Sequence, residues 1–414
     1  MFITHVLRAP RLRQAETFRS LQNNANFRLY WTGSFVSNFG TWMQSVAQGY
    51  LVYQLTGSTF MLGMVGFAQS IPFLFFALFG GVLADRFERR RLMVVTQTGL
   101  MLLAFLLAYL TLSGQITVWM VLSIALANGI VNAFNVPVRQ SIISDLVDRK
   151  DLSNAIAMNS TQVQLSRVLG PALAGIMLAA TGAGWCFLLN AISFLAVIWT
   201  LMVMDVPPQV ATARRSALNS IGEALRYVRR EPTIYALLLM AAVPSLFALP
   251  YQQMLPAFSE SVLRVGPGGL GLMQSAAGLG ALAGALTVAT FSSRRSGGLM
   301  LGAVVLLGAA LAAFAFSPWI WLSLPLLFVM GFASMSYTTL NQGFLQRRVD
   351  DQMRGRVLSL LSMAWFGLQP FGSMETGTLA SVSSPQLALG LGGLVCIGVA
   401  IVVMVRWPML RGLR

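Results

Sequence analysis

Runs of about 20 apolar residues recur along this chain from residue 27 to residue 405, each broken off by a short polar stretch. About that many residues, at a rise of 1.5 Å each, carry a helix across the hydrocarbon of a bilayer. Twelve runs stand out: 27–50, 60–84, 92–112, 117–139, 154–180, 184–204, 233–256, 268–291, 298–316, 319–342, 357–380 and 386–405. The pattern predicts an all-α integral membrane protein. The longest polar interruption, 205–231, falls at midchain and divides the runs into two sets of six. The expected organisation is an arm at 1–26, a first bundle over 27–204, a linker over 205–231, a second bundle over 232–405 and a tail at 406–414. Within the linker, "SALNSIGEALRYVRR" sets Leu218, Ile221, Leu225 and Val228 at helical spacing, with Arg226, Arg229 and Arg230 facing elsewhere. Such a short amphipathic helix either lies on an anionic membrane surface or simply joins the two bundles.

Composition agrees with the pattern: 56% of the 414 residues are hydrophobic and mean hydropathy is +0.70. A soluble domain of this size has no interior large enough for that much apolar surface. The net charge of +15 points at first to nucleic acid, but its distribution does not. With residue 1 in the cytoplasm, 26 of the 28 Lys and Arg fall on the cytoplasmic side, Arg264 falls outside and Arg167 falls within a span. That asymmetry is the positive-inside bias of membrane proteins; no soluble basic face is left for nucleic acid. It predicts an inner-membrane protein with both termini cytoplasmic. Cys186 and Cys396 lie in the sixth and twelfth runs and read as small buried hydrophobes. The arm carries Arg8, Arg11, Arg13, Glu16 and Arg19 without an apolar core, unlike a cleaved signal peptide, and holds the single histidine, His5. The sequence has no G-x-x-x-x-G-K-S/T loop, no nucleophile–base constellation and no metal-ligand cluster. Neither an enzyme nor a cofactor or metal is expected.

The two halves repeat one another. "VDRKDLSNA" (Val147–Ala155) follows the fourth run and "VDDQMRGRV" (Val349–Val357) the tenth. "GSTFMLGMVGFAQS" (Gly57–Ser70) parallels "GPGGLGLMQSAAG" (Gly266–Gly278) around Gly63 and Gly271. In that register Asp85-Arg86 stands opposite Ser293-Arg294, so the second half keeps an arginine pair, Arg294 and Arg295, without the aspartate. Six plus six helices in parallel repeats is a transporter plan.

Only 10% of the chain is charged, yet Asp85, Arg86, Glu88, Arg89, Arg90 and Arg91 crowd into seven residues of "GGVLADRFERRR". Gly81-x-Leu83-Ala84-Asp85-Arg86-x-x-Arg89-Arg90 resembles the loop between helices 2 and 3 of the major facilitator superfamily, G-x-L-A-D-R-x-G-R-K/R, with Glu88 in place of the second glycine. "GSFVSNFGTWMQSVAQGYLVYQLTGS", "RVLGPALAG" and "DDQMRGRVLSL" resemble the branch that includes the enterobactin exporter, macrolide efflux pumps and secretion-type permeases, over residues 26 to 405. The resemblance implies twelve helices in two pseudo-symmetric bundles and a gating role for Asp85. A carboxylate at a helix end accepts hydrogen bonds from the N–H groups of a neighbouring helix N-terminus or pairs with an arginine. A gate contact that must break is worth roughly 1–3 kcal/mol. Arg90 and Arg91 are expected to act as topology determinants alone.

Two ionisable residues lie inside spans. Arg167, near the middle of the fifth, is costly unless it faces the protein interior. It precedes Gly170-Pro171-x-x-x-Gly175, which resembles the helix-5 motif of antiporters, with Ala174 in place of a glycine. Arg167 is a candidate to attract an anionic substrate group or to answer a protonatable acid; its bland alternative is a structural arginine bonded to backbone carbonyls. Glu375, in the eleventh span, reads as a lone buried carboxyl and a proton-coupling candidate beside Asp85 and Arg167, or else as a carboxyl bonded locally to Ser373 or Thr378, or one facing the outer water. Glu260, near the outer end of the seventh, is expected to be solvated. In the resembled fold, spans 1, 4, 7 and 10 line the cavity. That implies Asn38, Gln44, Gln48, Asn128, Asn132, Asn135, Gln252 and Asn341 as cavity residues, with Trp42, Tyr50, Phe134, Tyr251 and Met254 as an apolar wall. Each is equally open to being interhelical packing. The expected activity is proton-driven export of a hydrophobic or amphiphilic small molecule, of drug or siderophore class, by a monomer set in membrane lipid. The alternatives are a lipid or lysolipid flippase of the same fold, and a membrane sensor or scaffold without transport.

Overall fold

The computed structural model describes residues 18–204, 217–290 and 297–412, and every regular element among them is helical. A short helix, Arg19–Asn23, leads into α1 (Ala25–Thr56), α2 (Thr59–Arg86), α3 (Arg89–Leu112), α4 (Val118–Asp145), α5 (Leu152–Thr181) and α6 (Ala183–Val203). A linker helix, Ala217–Arg230, precedes the second set. That set is α7 (Pro232–Val262), α8 (Gly266–Thr290), α9 (Gly297–Ala315), α10 (Ile320–Arg348), α11 (351–382) and α12 (Pro385–Arg406). Among the described residues, ten of these helices are long and apolar enough to cross a membrane. The other two are α1 and α11. α1 runs for 32 residues, but Asn38, Gln44 and Gln48 dilute its apolar character. α11 comes in three pieces: Asp351–Ser362, a π turn at Met363–Gly367, and Gln369–Val382. Large apolar side chains face outward, as at Leu102, Leu394 and Trp321, the last 82% exposed; in water such a surface would aggregate, and in lipid it is solvated.

The helix connections at one end are very short. Gly57 (φ +60°) and Gly182 (φ +84°) turn α1 into α2 and α5 into α6, in conformations that a Cβ would strain. This end is called the far end, and the opposite one, which carries the arm and tail, the terminal end.

Packing realises the repeat. α1 packs on α5 and α6, α2 on α4, and α3 on α4 and α6; in the second half α7 packs on α11 and α12, α8 on α10, and α9 on α10 and α12. The glycines that permit these approaches recur in register. A Cβ on Gly129 of α4 would strike the Gln69 carbonyl of α2, and one on Gly331 of α10 would strike the Ala277 carbonyl of α8. Gly170 faces the Phe39 carbonyl of α1, as Gly372 faces the Leu246 carbonyl of α7. Small residues at helix crossings let backbones approach closely where lipid supplies no hydrophobic drive.

The two outlying helices dock in parallel ways. Arg19 pairs with the buried carboxylate of Asp151 at 2.6 Å, and the Ser20 amide donates to Asn154 Oδ1 at 2.9 Å. On the linker helix, Tyr227 donates to Asp350 at 3.1 Å and Glu223 pairs with Arg356. Ala224 and Val228 of that helix are buried while Leu225 is exposed. The expected common face for Leu225 and Val228 is therefore split, because the helix turns Val228 inward to the second half. The side chains of Leu218 and Ile221, and all of Ser293, Arg294 and Arg295, lie outside the described residues.

Candidate transport site

The halves meet along two crossings. α5 lies on α8 and α2 lies on α11. At the first, Gly175 faces Gly271, and a Cβ on Gly271 would sit 2.8 Å from the Gly175 Cα and 2.7 Å from the Pro171 carbonyl. At the second, Gly63 faces Gly377, where the corresponding distance is 2.9 Å, and it also faces the Ser373 carbonyl. Single hydrogen bonds fasten each crossing: Ser275 Oγ to the Val168 carbonyl at 2.9 Å, and Thr59 Oγ1 to the Gly377 carbonyl at 3.4 Å. Gly170, Pro171 and Gly175 of the helix-5 motif thus serve two contacts, Gly170 toward α1 and Pro171 with Gly175 toward α8.

Deeper along the α5–α8 seam lies Arg167. Its guanidinium carbon stands 5.6 Å from the centre of the Trp42 ring. Arg167, Trp42, Pro171, Tyr251, Gln252 and Gln274 line a small cavity of ≈ 20 Å³ between the halves. Of the eight amide residues implied for the cavity, only Gln252 reaches this one. Gln274 of α8 belongs to it as well, and the sequence signal for it was a lone amide among small residues. Among the described residues, Arg167 is not bonded to backbone carbonyls.

Of the remaining amides, Asn38, Gln44, Asn135 and Asn341 hold helices together. Gln44 accepts from Asn190 at 2.6 Å, tying α1 to α6, and Gln48 is buried on the same face of α1. Asn135 accepts from Thr96 of α3 at 3.1 Å. Asn341 donates to the Leu237 carbonyl of α7 at 3.1 Å. Asn38 accepts from Arg139 of α4 at 2.9 Å. Asn132 donates to Asn128 at 2.6 Å, a pair one turn apart on α4. Among the wall residues, Trp42 and Tyr251 reach the cavity, Phe134 packs on Phe76, and Met254 is fully buried. Tyr50 of α1 is directed at Glu260 of α7 across the far end, where a π turn, Phe258–Val262, carries the carboxylate. Glu260 is half-buried there, with Oε1 enclosed, rather than solvated.

Glu375 is a second correction. Gly372, Ser373, Thr376, Gly377 and Ala380 form the buried face of α11, and that phase leaves Glu375 exposed with Phe371 and Thr378. It is not a buried carboxyl and does not point into the seam between the halves. Thr378 bonds to the Met374 carbonyl instead.

At the terminal end, Gly81, Asp85 and Arg86 close α2, and their side chains lie outside the described residues. Arg89 pairs with Asp145 at 2.8 Å, fixing the start of α3 to the end of α4. Arg90 donates to the Leu201 and Met202 carbonyls, the first at 2.6 Å, and caps α6. Cations are favoured at a helix C-terminus, where carbonyls lack partners. Arg90 is therefore a helix cap and not a topology determinant alone. Arg91 pairs with Glu88 at 2.7 Å on the surface.

Two six-helix sets related by an internal repeat and meeting along two crossings are the architecture of the major facilitator transporters. A solved bacterial homologue of the human lysosomal transporter Spinster, in an inward-facing and unoccupied conformation, matches with a TM-score of 0.69 at 16% identity, over 92% of this chain and 94% of that one. The chain belongs to the transmembrane secretion effector family of that superfamily, whose model matches residues 15–412; it is a multi-pass membrane transporter and not an enzyme. It is 26% identical over 370 residues to the staphyloferrin A transporter of Staphylococcus aureus (strain NCTC 8325 / PS 47), covering 86% of this chain and 89% of that protein. It is 25% identical over 396 residues to the enterobactin exporter EntS of Citrobacter koseri, covering 95% and 94%.

Proposed function

We propose that this chain is a secondary active exporter of an amphiphilic small molecule of siderophore class, driven by protons and working by alternating access as a monomer. The observation that carries the reading is the pairing of the crossings: both sit toward the far end, while at the terminal end Arg89 pairs with Asp145 and Arg90 with the Leu201 carbonyl, both of the first half. Among the described residues the halves are thus fastened at the far end, as in a transporter resting open to the other side. The Lys and Arg distribution favours the terminal end as the cytoplasmic one, and with it an inner-membrane location with both termini inside. The names of the two relatives favour a siderophore as cargo.

In this reading Asp85 holds the terminal end shut in the alternate state and takes up the coupling proton. It stands at the end of α2, where the halves must close. Glu375, turned away from the seam, has no such position. Proteoliposomes with an imposed pH gradient test the function. Gradient-driven flux of a catecholate or carboxylate siderophore is expected, with near-complete loss in Asp85→Asn and retention in Ser293→Ala. Flux indifferent to the gradient removes proton coupling, and equal loss in both variants removes the asymmetry of the gate. Cysteines at Gly222 and Gly266 are expected to label from opposite sides of the membrane; labelling of both from outside sinks the topology.

A further inference from the structure

Arg167 carries five N–H donors, and among the described residues its guanidinium donates no hydrogen bond and meets no carboxylate; the Trp42 face is its one ring contact. It sits near the middle of α5, where an unpaired charge costs at least about 2.5–3.5 kcal/mol. A structural arginine at that depth would be spent on carbonyls or an acid. This one is held in place and left open. Trp42 backs one face of the guanidinium plane, and the Gly170–Trp42 approach fixes where α1 puts that ring. The open edge lies in the cavity with Tyr251, Gln252 and Gln274. These are two amides and a phenol, each able to donate to a second oxygen. The acids described on the spans lie elsewhere: Glu260 at the far end, Asp145 at the terminal end with Arg89, Asp351 at the start of α11 with Arg354, and Glu375 on the outward face of α11.

We infer that this cavity is an anion subsite that takes one carboxylate of the transported molecule, bound edge-on by Arg167 and flanked by Gln252 and Gln274. The inference rests on the export reading and narrows it to carboxylate-bearing substrates. Size fits the assignment. A cavity of ≈ 20 Å³ holds one small polar group and no whole siderophore, so the body of the molecule lies outside it. Position fits it too. Trp42, Arg167 and Pro171 come from the first half, and Tyr251, Gln252 and Gln274 from the second. An anion seated there links the halves and supplies the missing countercharge at the point where they pivot. A planar guanidinium matches a carboxylate with two parallel N–H···O bonds, and a lysine does not.

The probe is a matched pair, 1-naphthoate and 1-naphthamide, which differ in charge and little in shape. Binding to the purified full-length protein in lipid nanodiscs is read by calorimetry. The native protein is expected to bind the carboxylate at least tenfold more tightly than the amide, and Arg167→Gln is expected to bring the two within twofold. If the Gln variant does not fold, Arg167→Lys carries the test, with the preference expected to fall at least threefold. A native preference below twofold, no binding of either probe at millimolar concentration, or a tenfold preference surviving in Arg167→Gln overturns the assignment. Flux of a neutral macrolide through proteoliposomes separates the two claims. Flux without a carboxylate preference sinks the subsite and leaves export standing. A carboxylate preference without flux of either kind of compound sinks export and leaves the subsite standing.

Discussion

At the α5–α8 crossing, Gly175 faces Gly271, and the seam continues inward to Arg167, Trp42 and Gln274. At the α2–α11 crossing, Gly63 faces Gly377, and the seam continues to two aromatic contacts, Phe67 with Phe371 and Phe73 with Phe366, at 6.2 and 5.5 Å between ring centres. The glycine contacts are repeat counterparts: 63 and 271 are aligned, and 175 and 377 stand as far apart in sequence as Val147 and Val349. In that register Gln369 occupies the place of Arg167. The symmetric part is backbone against backbone, and the asymmetric part is side chain. Closing the far end is thus a task both halves share by inheritance, whereas holding a charge is a task that one seam has and the other fills with rings.

The largest effect is expected from breaking the shared part. Gly63→Val and Gly271→Val should each lower transport at least tenfold and raise far-side labelling of a cysteine at Gln274, because each added side chain meets main chain that cannot rotate away. If one of the two is silent, the crossings are not equivalent seals. Next come the positions where the seams diverge. Arg167→Ala should cost at least tenfold in transport of a carboxylate substrate and Gln369→Ala less than twofold; similar losses would erase the contrast. A smaller effect is expected on the aromatic side. A double-mutant cycle on Phe67→Ala and Phe371→Ala should give a coupling of about 0.5–1.5 kcal/mol in unfolding, and a coupling near zero would make those rings mere filler.

The smallest effect concerns the contact between Arg19 and Asp151 at the terminal end. Burial raises the Asp151 carboxyl, but the hydrogen bonds from Asn24 and Asn23 and the Arg19 charge outweigh it and hold it below the ordinary carboxylate value. A depressed value means that the native state releases this proton more readily than the unfolded chain. The contribution is therefore full above the unfolded value of about 3.9 and is lost as pH falls through the folded one. Melting followed from pH 6 down to pH 3 should show a loss of midpoint below about pH 4, shallower in Asp151→Asn. An unchanged slope would mean that the short helix is not held by this carboxylate.

The span positions and the two-half plan were legible from apolar run length alone, because a bilayer demands both. The repeat was legible at Val147 with Val349 and at Gly63 with Gly271, where small residues are dictated by contact. The rotation of each helix was not. Glu375 stands among apolar neighbours in sequence, and only the packing of Gly372, Thr376 and Gly377 turns it outward. Gln44 and Asn135 carry the same chemistry as Gln252, and a linear sequence does not say which amide meets Asn190, which Thr96 and which the cavity. The break in α11 escaped notice because a π turn adds a residue without changing composition. Arg90 read as a sidedness signal because Leu201, its acceptor, is more than a hundred positions away.

A contact made by glycines on both sides has no side chain to freeze. If Gly63 leaves Gly377 and Gly271 leaves Gly175, as the export reading requires, no rotamer is released and none must be found again on return, so the contact carries almost no side-chain conformational entropy in either direction. Its attraction is main-chain dispersion and weak Cα–H···O bonding. Such a joint behaves as a bearing: it defines an axis firmly and resists turning little. On the export reading proposed above, the barrier to reorientation would then lie in side-chain contacts away from these crossings.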